Sequence, residues 1–303
     1  MAVYVVGDFL RETRLRKGYT QEEVSYGICT PASLSRIENG AQKPGRLILE
    51  KLFERLGTEN NLFNSFVSRE EMELYSAIQE LIRNVTDAEI DKIHKQILIV
   101  EKLTENTSDL ERQCLLFAKG ELIKRKEKDY STAIEWLMKA IHITLPDFDG
   151  ENPLRNNLLT FDEIMIINGI AILHAKSGNV MTAIQLDMWL KEYMEDKIVD
   201  GTMKKAKYPM IIYNLSNWFG NKQCHTEALK LADEGINFCV KYGNLVILPS
   251  LILNKGVALA ELGDIDDARK YLHQAITIFD VMKKEETIQS VLDWCKTRYN
   301  LEI

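Results

Sequence analysis

The chain is short of the residues that interrupt a helix or crosslink a fold. Its 303 residues include six prolines and 16 glycines. The five cysteines (Cys29, Cys114, Cys224, Cys239 and Cys295) are odd in number and never form a Cys-x-x-Cys pair. This argues against a disulfide framework and against a zinc site. Cys29 reads as a small apolar plug rather than a redox centre. The five histidines, at 94, 142, 174, 225 and 273, are never spaced i,i+4, so no metal is expected. No phosphate-cradling glycine loop, nucleophile elbow or catalytic carboxylate pair is present, so neither an enzyme nor a cofactor is expected. No apolar run reaches membrane-spanning length, and the opening residues MAVYVVGDF lack the build of a signal peptide. A cytoplasmic location is the expectation.

What the chain does have begins at residue 7. GDFLRETRLRKGYTQEEVSYGICTPASLSRIENGAQKPGR (7–46) holds two capped helix starts separated by a tight turn. Thr20-Gln21-Glu22-Glu23 opens one helix, Gly27-Ile28-Cys29 turns the chain, and Thr30-Pro31 opens a second. This spacing sends the second helix off at a steep angle, with its N-terminal residues free to enter a major groove. The spacing predicts helices over 7–17, 21–27, 31–39, 46–56 and 59–66. Leu10, Leu15, Val24, Leu34, Ile37, Leu49, Leu52 and Leu56 fall at helical spacing as a small core.

On the second helix Ala32, Ser33, Ser35 and Arg36 lie opposite Leu34 and Ile37 and are expected to face DNA. Arg36 suits a bidentate contact to guanine or a phosphate. Gln21 and Thr30, at helix starts, and Asn39 and Lys43, at the exit, complete the expected contact set. Glu38 is expected to pair within the head. The head, residues 1–66, carries nine Lys/Arg and eight Asp/Glu and so is +1, which with a net charge of −7 leaves −8 to the rest of the chain. So mild a positive charge suggests weak binding by a monomer and a gain from dimerisation.

Residues 67–303 read as helical hairpins with no strand signal. A recurring unit is clearest in 120–141, 169–190, 215–236 and 256–276. Each copy places Ala at a fixed offset (Ala133, Ala183, Ala228, Ala268), and seven residues later stands Ala140, Leu190, Gly235 or Ala275. Small residues there let helices approach closely, and stacking such pairs builds a solenoid. A further pair is expected over 70–104, a loop over 145–160, and a capping helix with Trp294 over 283–303.

The head resembles the Cro/phage-repressor (Xre-type) helix-turn-helix through Thr-Gln-Glu-x-Val at 20–24 and Leu-Ser-x-Ile-Glu-Asn-Gly at 34–40. The repeats resemble the tetratricopeptide repeat, best in the last copy, with Gly256, Gly263-Asp264, Ala268 and Ala275. The fold expected is all-α, a head followed by a right-handed superhelix of about five degenerate hairpins. First helices of such a solenoid line its concave face. Asn214 and Asn254 share one position there, Asn168 lies one residue earlier, and Asn217 is a helical turn beyond Asn214. An Asn amide can hold both groups of an extended peptide backbone, or else can link neighbouring helices; both readings stand.

In layout and length the whole chain is similar to the Rgg/PlcR/PrgX (RNPP) group of regulators. That resemblance implies a homodimer on a palindromic or near-palindromic DNA site. It also implies a short imported signalling peptide in the groove (quorum sensing), held by asparagines such as Asn168, Asn214 and Asn254. The alternative is a constitutive DNA-binding regulator whose repeats only dimerise or recruit a protein.

Overall fold

The computed structural model describes residues 6–58, 69–85, 89–103, 109–152, 158–196 and 201–299. All regular elements among these are helices. They fall into two compact units, residues 1–201 and 202–303. The predicted helix over 59–66 lies outside the described residues.

The first unit opens with α1 (Val6–Arg16), α2 (Gln21–Ser25), α3 (Pro31–Glu38) and α4 (Arg46–Arg55). Their core is Leu10, Val24, Leu34, Ile37, Leu52 and Leu56, as the spacing predicts, together with Ile28, Leu47 and Phe53. Leu15 does not join it. Near the end of α1 it is 58% exposed, while Thr13 and Arg14 turn inward. Arg14 takes the inward place because its guanidinium has a buried partner there. Leu49 is half-buried at the core edge.

Three hairpins follow: α5 (Arg69–Asn84) with α6 (Ile90–Leu103), α7 (Asp109–Lys126) with α8 (Tyr130–Ile141), and α9 (Phe161–Lys176) with α10 (Val180–Asp196). The second unit holds α11 (Gly201–Asn221), α12 (His225–Tyr242), α13 (Leu248–Glu261), α14 (Ile265–Val281) and the closing α15 (Glu285–Tyr299). Ala133, Ala183, Ala228 and Ala268 are all buried, as are Ala140, Leu190 and Ala275. The tight fit is visible across α13 and α14, where a Cβ on Gly256 would lie 2.8 Å from Leu272 Cγ. The closing helix α15 buries Val291 and Cys295 against Leu272, with Trp294 beside them.

The turns that lead into α8, α10, α12, α14 and α15 each pass through one residue with positive φ. Gly178 and Gly263 hold that place at 92° and 89°, whereas Lys128, Gln223 and Lys283 hold it at 55°, 62° and 56°. Asp129 and Asp264 then cap α8 and α14, accepting from Thr132 N at 3.0 Å and Asp267 N at 3.3 Å. Within α11, Pro209 cannot donate to the Lys205 carbonyl one turn back. Asn244 Nδ2 donates to that carbonyl instead, at 3.0 Å.

Among its described residues the segment after α8 is irregular, as expected, but part of it is buried. Leu145, Phe148, Leu158 and Leu159 are buried. His142 Nε2 lies 2.7 Å from the Phe148 carbonyl and His174 Nε2 lies 3.2 Å from the Gly150 carbonyl, pinning the segment from both flanking helices.

Candidate functional site

The reader is assembled from two caps and one buried carboxylate. Thr20 Oγ1 accepts from Glu23 N at 3.1 Å while Thr20 N donates to Glu23 Oε2 at 2.7 Å, a reciprocal capping box that starts α2. Thr30 Oγ1 accepts from Ser33 N at 3.1 Å, and Pro31 occupies the first turn of α3. Between them Gly27 adopts φ +67°, and Ser25 O receives the amides of Ile28 at 2.9 Å and Cys29 at 3.0 Å. Cys29 packs at the edge of the head core, and burial pushes its thiol up.

Glu38 is 1% exposed and holds the head together. Arg14 donates to both its oxygens, Nε to Oε1 at 2.7 Å and Nη2 to Oε2 at 2.9 Å, and Gln21 Nε2 donates to Oε2 at 2.7 Å. Arg14 Nη1 also reaches the Tyr19 carbonyl at 2.9 Å. The hydrogen bonds from Arg14 to Glu38 hold the guanidinium above its usual pKa, against the opposing effect of burial. One carboxylate therefore joins α1, α2 and α3, and it links the two sequence motifs, since Gln21 belongs to one and Glu38 to the other. Glu38 pairs inside the head, as expected, and Gln21 directs its amide to it.

The other expected contacts belong to α3 and its two flanks. Thr30, Ala32, Arg36, Asn39 and Lys43 are exposed, and Ser33 and Ser35 are half-buried. Arg36 is held in place by Gln42, which accepts from Nε at 3.0 Å, and by Ser33 Oγ, which accepts from Nη2 at 3.1 Å. Such a pre-arranged, exposed guanidinium, in the last turn of the second helix of the helix-turn-helix, suits guanine or phosphate.

The asparagines separate. Asn168, on α9 of the first unit, is 2% exposed and Asn214, on α11, is 7% exposed. Asn217 and Asn254 instead line a cleft of about 740 Å³ in the second unit, walled by α11, α13, α15 and the start of α12. Asn254 Nδ2 donates to the Tyr213 carbonyl at 3.4 Å, so this amide also ties α13 to α11. Sequence reasoning missed the charged end of the cleft. There Glu261 pairs with Arg298 at 2.7 Å and lies 3.9 Å from His225 Nε2. Tyr213 and Trp294 add aromatic surface, and Asn221 and Gln223 add amides. Glu261 and Arg298 stand near the ends of α13 and α15, beyond the asparagine register, so repeat position alone does not point to them. Amides beside aromatic walls can hold an extended backbone and pack its side chains.

A sequence model described as a helix-turn-helix domain matches residues 5–66, and the RNPP family C-terminal domain matches residues 152–300. Over 63 residues the chain is 38% identical to the uncharacterized HTH-type transcriptional regulator YqaF of Bacillus subtilis (strain 168). That stretch is 20% of this chain and 83% of that protein. The fold is similar to Bacillus thuringiensis PlcR in complex with the peptide PapR7 and DNA, with a TM-score of 0.62 and 19% identity, covering 95% of this chain and 99% of that one. The apo form of the same protein gives 0.60 and 17%, covering 95% and 98%. Reader and hairpins together define a helix-turn-helix transcriptional regulator with a body of tetratricopeptide-like repeats. Behind its helix-turn-helix head the chain carries the C-terminal domain of the RNPP family. Among the described residues no helix is long and apolar enough to cross a membrane.

Proposed function

We propose that this chain is a sequence-specific transcriptional regulator that acts as a homodimer and is switched by a short signalling peptide. The PlcR structure with peptide and DNA is a precedent for both ligands on this fold. The observation that carries the peptide reading is the cleft on α11, α13 and α15, which brings Asn217 and Asn254 together beside Tyr213 and Trp294. In this reading these two amides bind peptide backbone, while Asn168 and Asn214 are buried within their own units. Arg36 reads a base or phosphate, with Ala32, Ser33 and Ser35 along the groove and Gln21, Thr30, Asn39 and Lys43 flanking it. The head over 1–66 serves DNA, and 67–303 serves peptide binding and dimerisation.

The test uses full-length protein, duplexes it selects from a random-sequence pool, and a library of short synthetic peptides. Arg36→Ala is expected to lower affinity for the selected duplex by roughly 10- to 100-fold. A peptide at a hundred times its Kd should stabilise the protein by about 2.7 kcal/mol, and Asn217→Ala/Asn254→Ala should remove that shift. DNA binding with no stabilisation by any peptide would favour a constitutive regulator whose repeats serve only dimerisation or recruitment.

A further inference from the structure

Two of the head's basic residues point away from its reading surface. Lys51 and Arg55, on the last turns of α4, are 3% exposed each and face the repeats of the same compact unit. Arg55 Nη2 pairs with Glu163 at 2.7 Å, with both side chains fully buried, and Arg55 also donates to the Tyr26 carbonyl. Lys51 Nζ lies 2.9 Å from Glu54 and 2.9 Å from Asp162. Glu54 in turn accepts from the backbone N of Phe161 at 3.0 Å. Phe161 is the first residue of α9, where an amide has no partner inside its own helix. Here the head supplies that partner.

The helix-turn-helix turn is seated beside this seam. Tyr26 Oη donates to Asp147 Oδ2 at 3.0 Å, and a Cβ on Gly27 would lie 2.1 Å from the Thr144 carbonyl. The segment that receives the turn is the one pinned by His142 and His174. With all these contacts made, Ala32, Arg36, Asn39 and Lys43 remain exposed. Docking and reading therefore use different faces of the head.

We propose that Lys51 and Arg55 are positioning residues rather than phosphate contacts. With Glu54, Asp162 and Glu163 they form a fixed joint that holds the reader at one orientation on the first repeats. In a dimer, the body then dictates the distance and angle between the two readers, and hence the half-site spacing that is accepted. Buried charge pairs suit this task because their geometry is specific and a displaced partner leaves an uncompensated charge. This inference rests on the DNA-binding reading above.

The test has a DNA-free arm and a DNA arm, both on the full-length protein. Hydrogen exchange at the Phe161 amide is expected to be slow in the wild type and at least about tenfold faster in Glu54→Ala. Fast exchange in the folded wild type would overturn the joint without any variant. For the DNA arm, half-sites selected from a random pool are joined at a series of separations. Arg55→Gln should bind a single half-site as the wild type does, yet lose roughly tenfold or more of its discrimination between separations. Arg55→Met/Glu163→Leu, which replaces the pair by apolar groups of similar volume, should regain the wild-type profile. An unchanged spacing profile in Arg55→Gln would overturn the inference while leaving the DNA reading intact. A parallel loss on single half-sites would mark Arg55 as a DNA contact and also overturn it. If the wild type selects no sequence, the DNA reading falls and the inference with it.

Discussion

Glu38 shows how far a motif residue's chemistry can lie from the ligand. It sits on the recognition helix yet turns inward to Arg14 and Gln21. Glu38→Ala should cost about 3–5 kcal/mol, because it strands the buried Arg14 guanidinium; urea denaturation of the full chain would measure it. Glu54 makes a second residue-level case. Burial, with the charges of Asp162 and Glu50, pushes its carboxyl up to about 7 despite the opposing pull of Lys51. The Lys51 ammonium is itself held above its usual range, since Asp162, Glu54 and Glu50 outweigh the effect of burial. The groups facing Glu54 are thus Lys51 and Glu50 on α4 and Asp162 on α9, with the Cys114 thiol of α7 beside Asp162. An acid whose folded pKa exceeds its unfolded value binds the extra proton in the folded state. Its contribution to stability is greatest at low pH and declines as pH rises toward 7. Wild type should therefore lose stability relative to Glu54→Gln between about pH 5 and about pH 8. A pH-independent difference in Tm would contradict this.

The helices follow local rules where caps and turns are strong. Thr20, Thr30 and Asp264 stand at helix starts and accept the amides expected of them. The hairpin turns show a local conflict, since Lys128 and Lys283 adopt the positive φ that Gly178 and Gly263 take without strain. Lys128→Gly should stabilise the chain by about 1 kcal/mol, as relief of left-handed strain exceeds the added entropy of the unfolded glycine. Thermal unfolding would register this as a rise in Tm, and a fall would show that the Lys128 side chain contributes more than the strain it carries. Pro209 is the opposite case. It lies inside a helix that propensity alone would end, and the Asn244 side chain takes the carbonyl the proline leaves without a helical donor.

For the whole molecule, the charge on the head needs a second partition that composition does not provide. Of its nine basic residues, Arg14, Lys51 and Arg55 are buried in ion pairs, while Arg11, Arg16, Arg36 and Lys43 are exposed. Each phosphate neutralised adds about 0.9 to the slope of log affinity against log salt, so two such heads should give a magnitude no greater than about 7. A salt titration on the selected duplex measures it. A steeper slope would mean that further cations, Arg46 or Lys17 or residues of the repeats, also reach DNA.

How much of this was legible in the sequence depended on how local the interaction is. The two caps, the turn, the fixed alanines and the Xre-type spacing are short-range patterns, and they determined the helical class, the reader and the recurring hairpins. Leu15 misled because helical spacing puts it near the core face, while Arg14, whose partner lies 24 residues away, took the buried place. The asparagine register placed Asn214 and Asn254 on equivalent turns. Packing then decided that Asn214 is buried and that Asn217 and Asn254 share a cleft. Arg55 and Glu163 are 108 residues apart, and nothing in either neighbourhood announces the other. Sequence by itself determined what the parts are, because caps, turns and helical faces are settled within a few residues. Only the tertiary structure decided which charges of the head stay exposed and which are buried against the repeats, because desolvation and pairing depend on what the fold brings alongside.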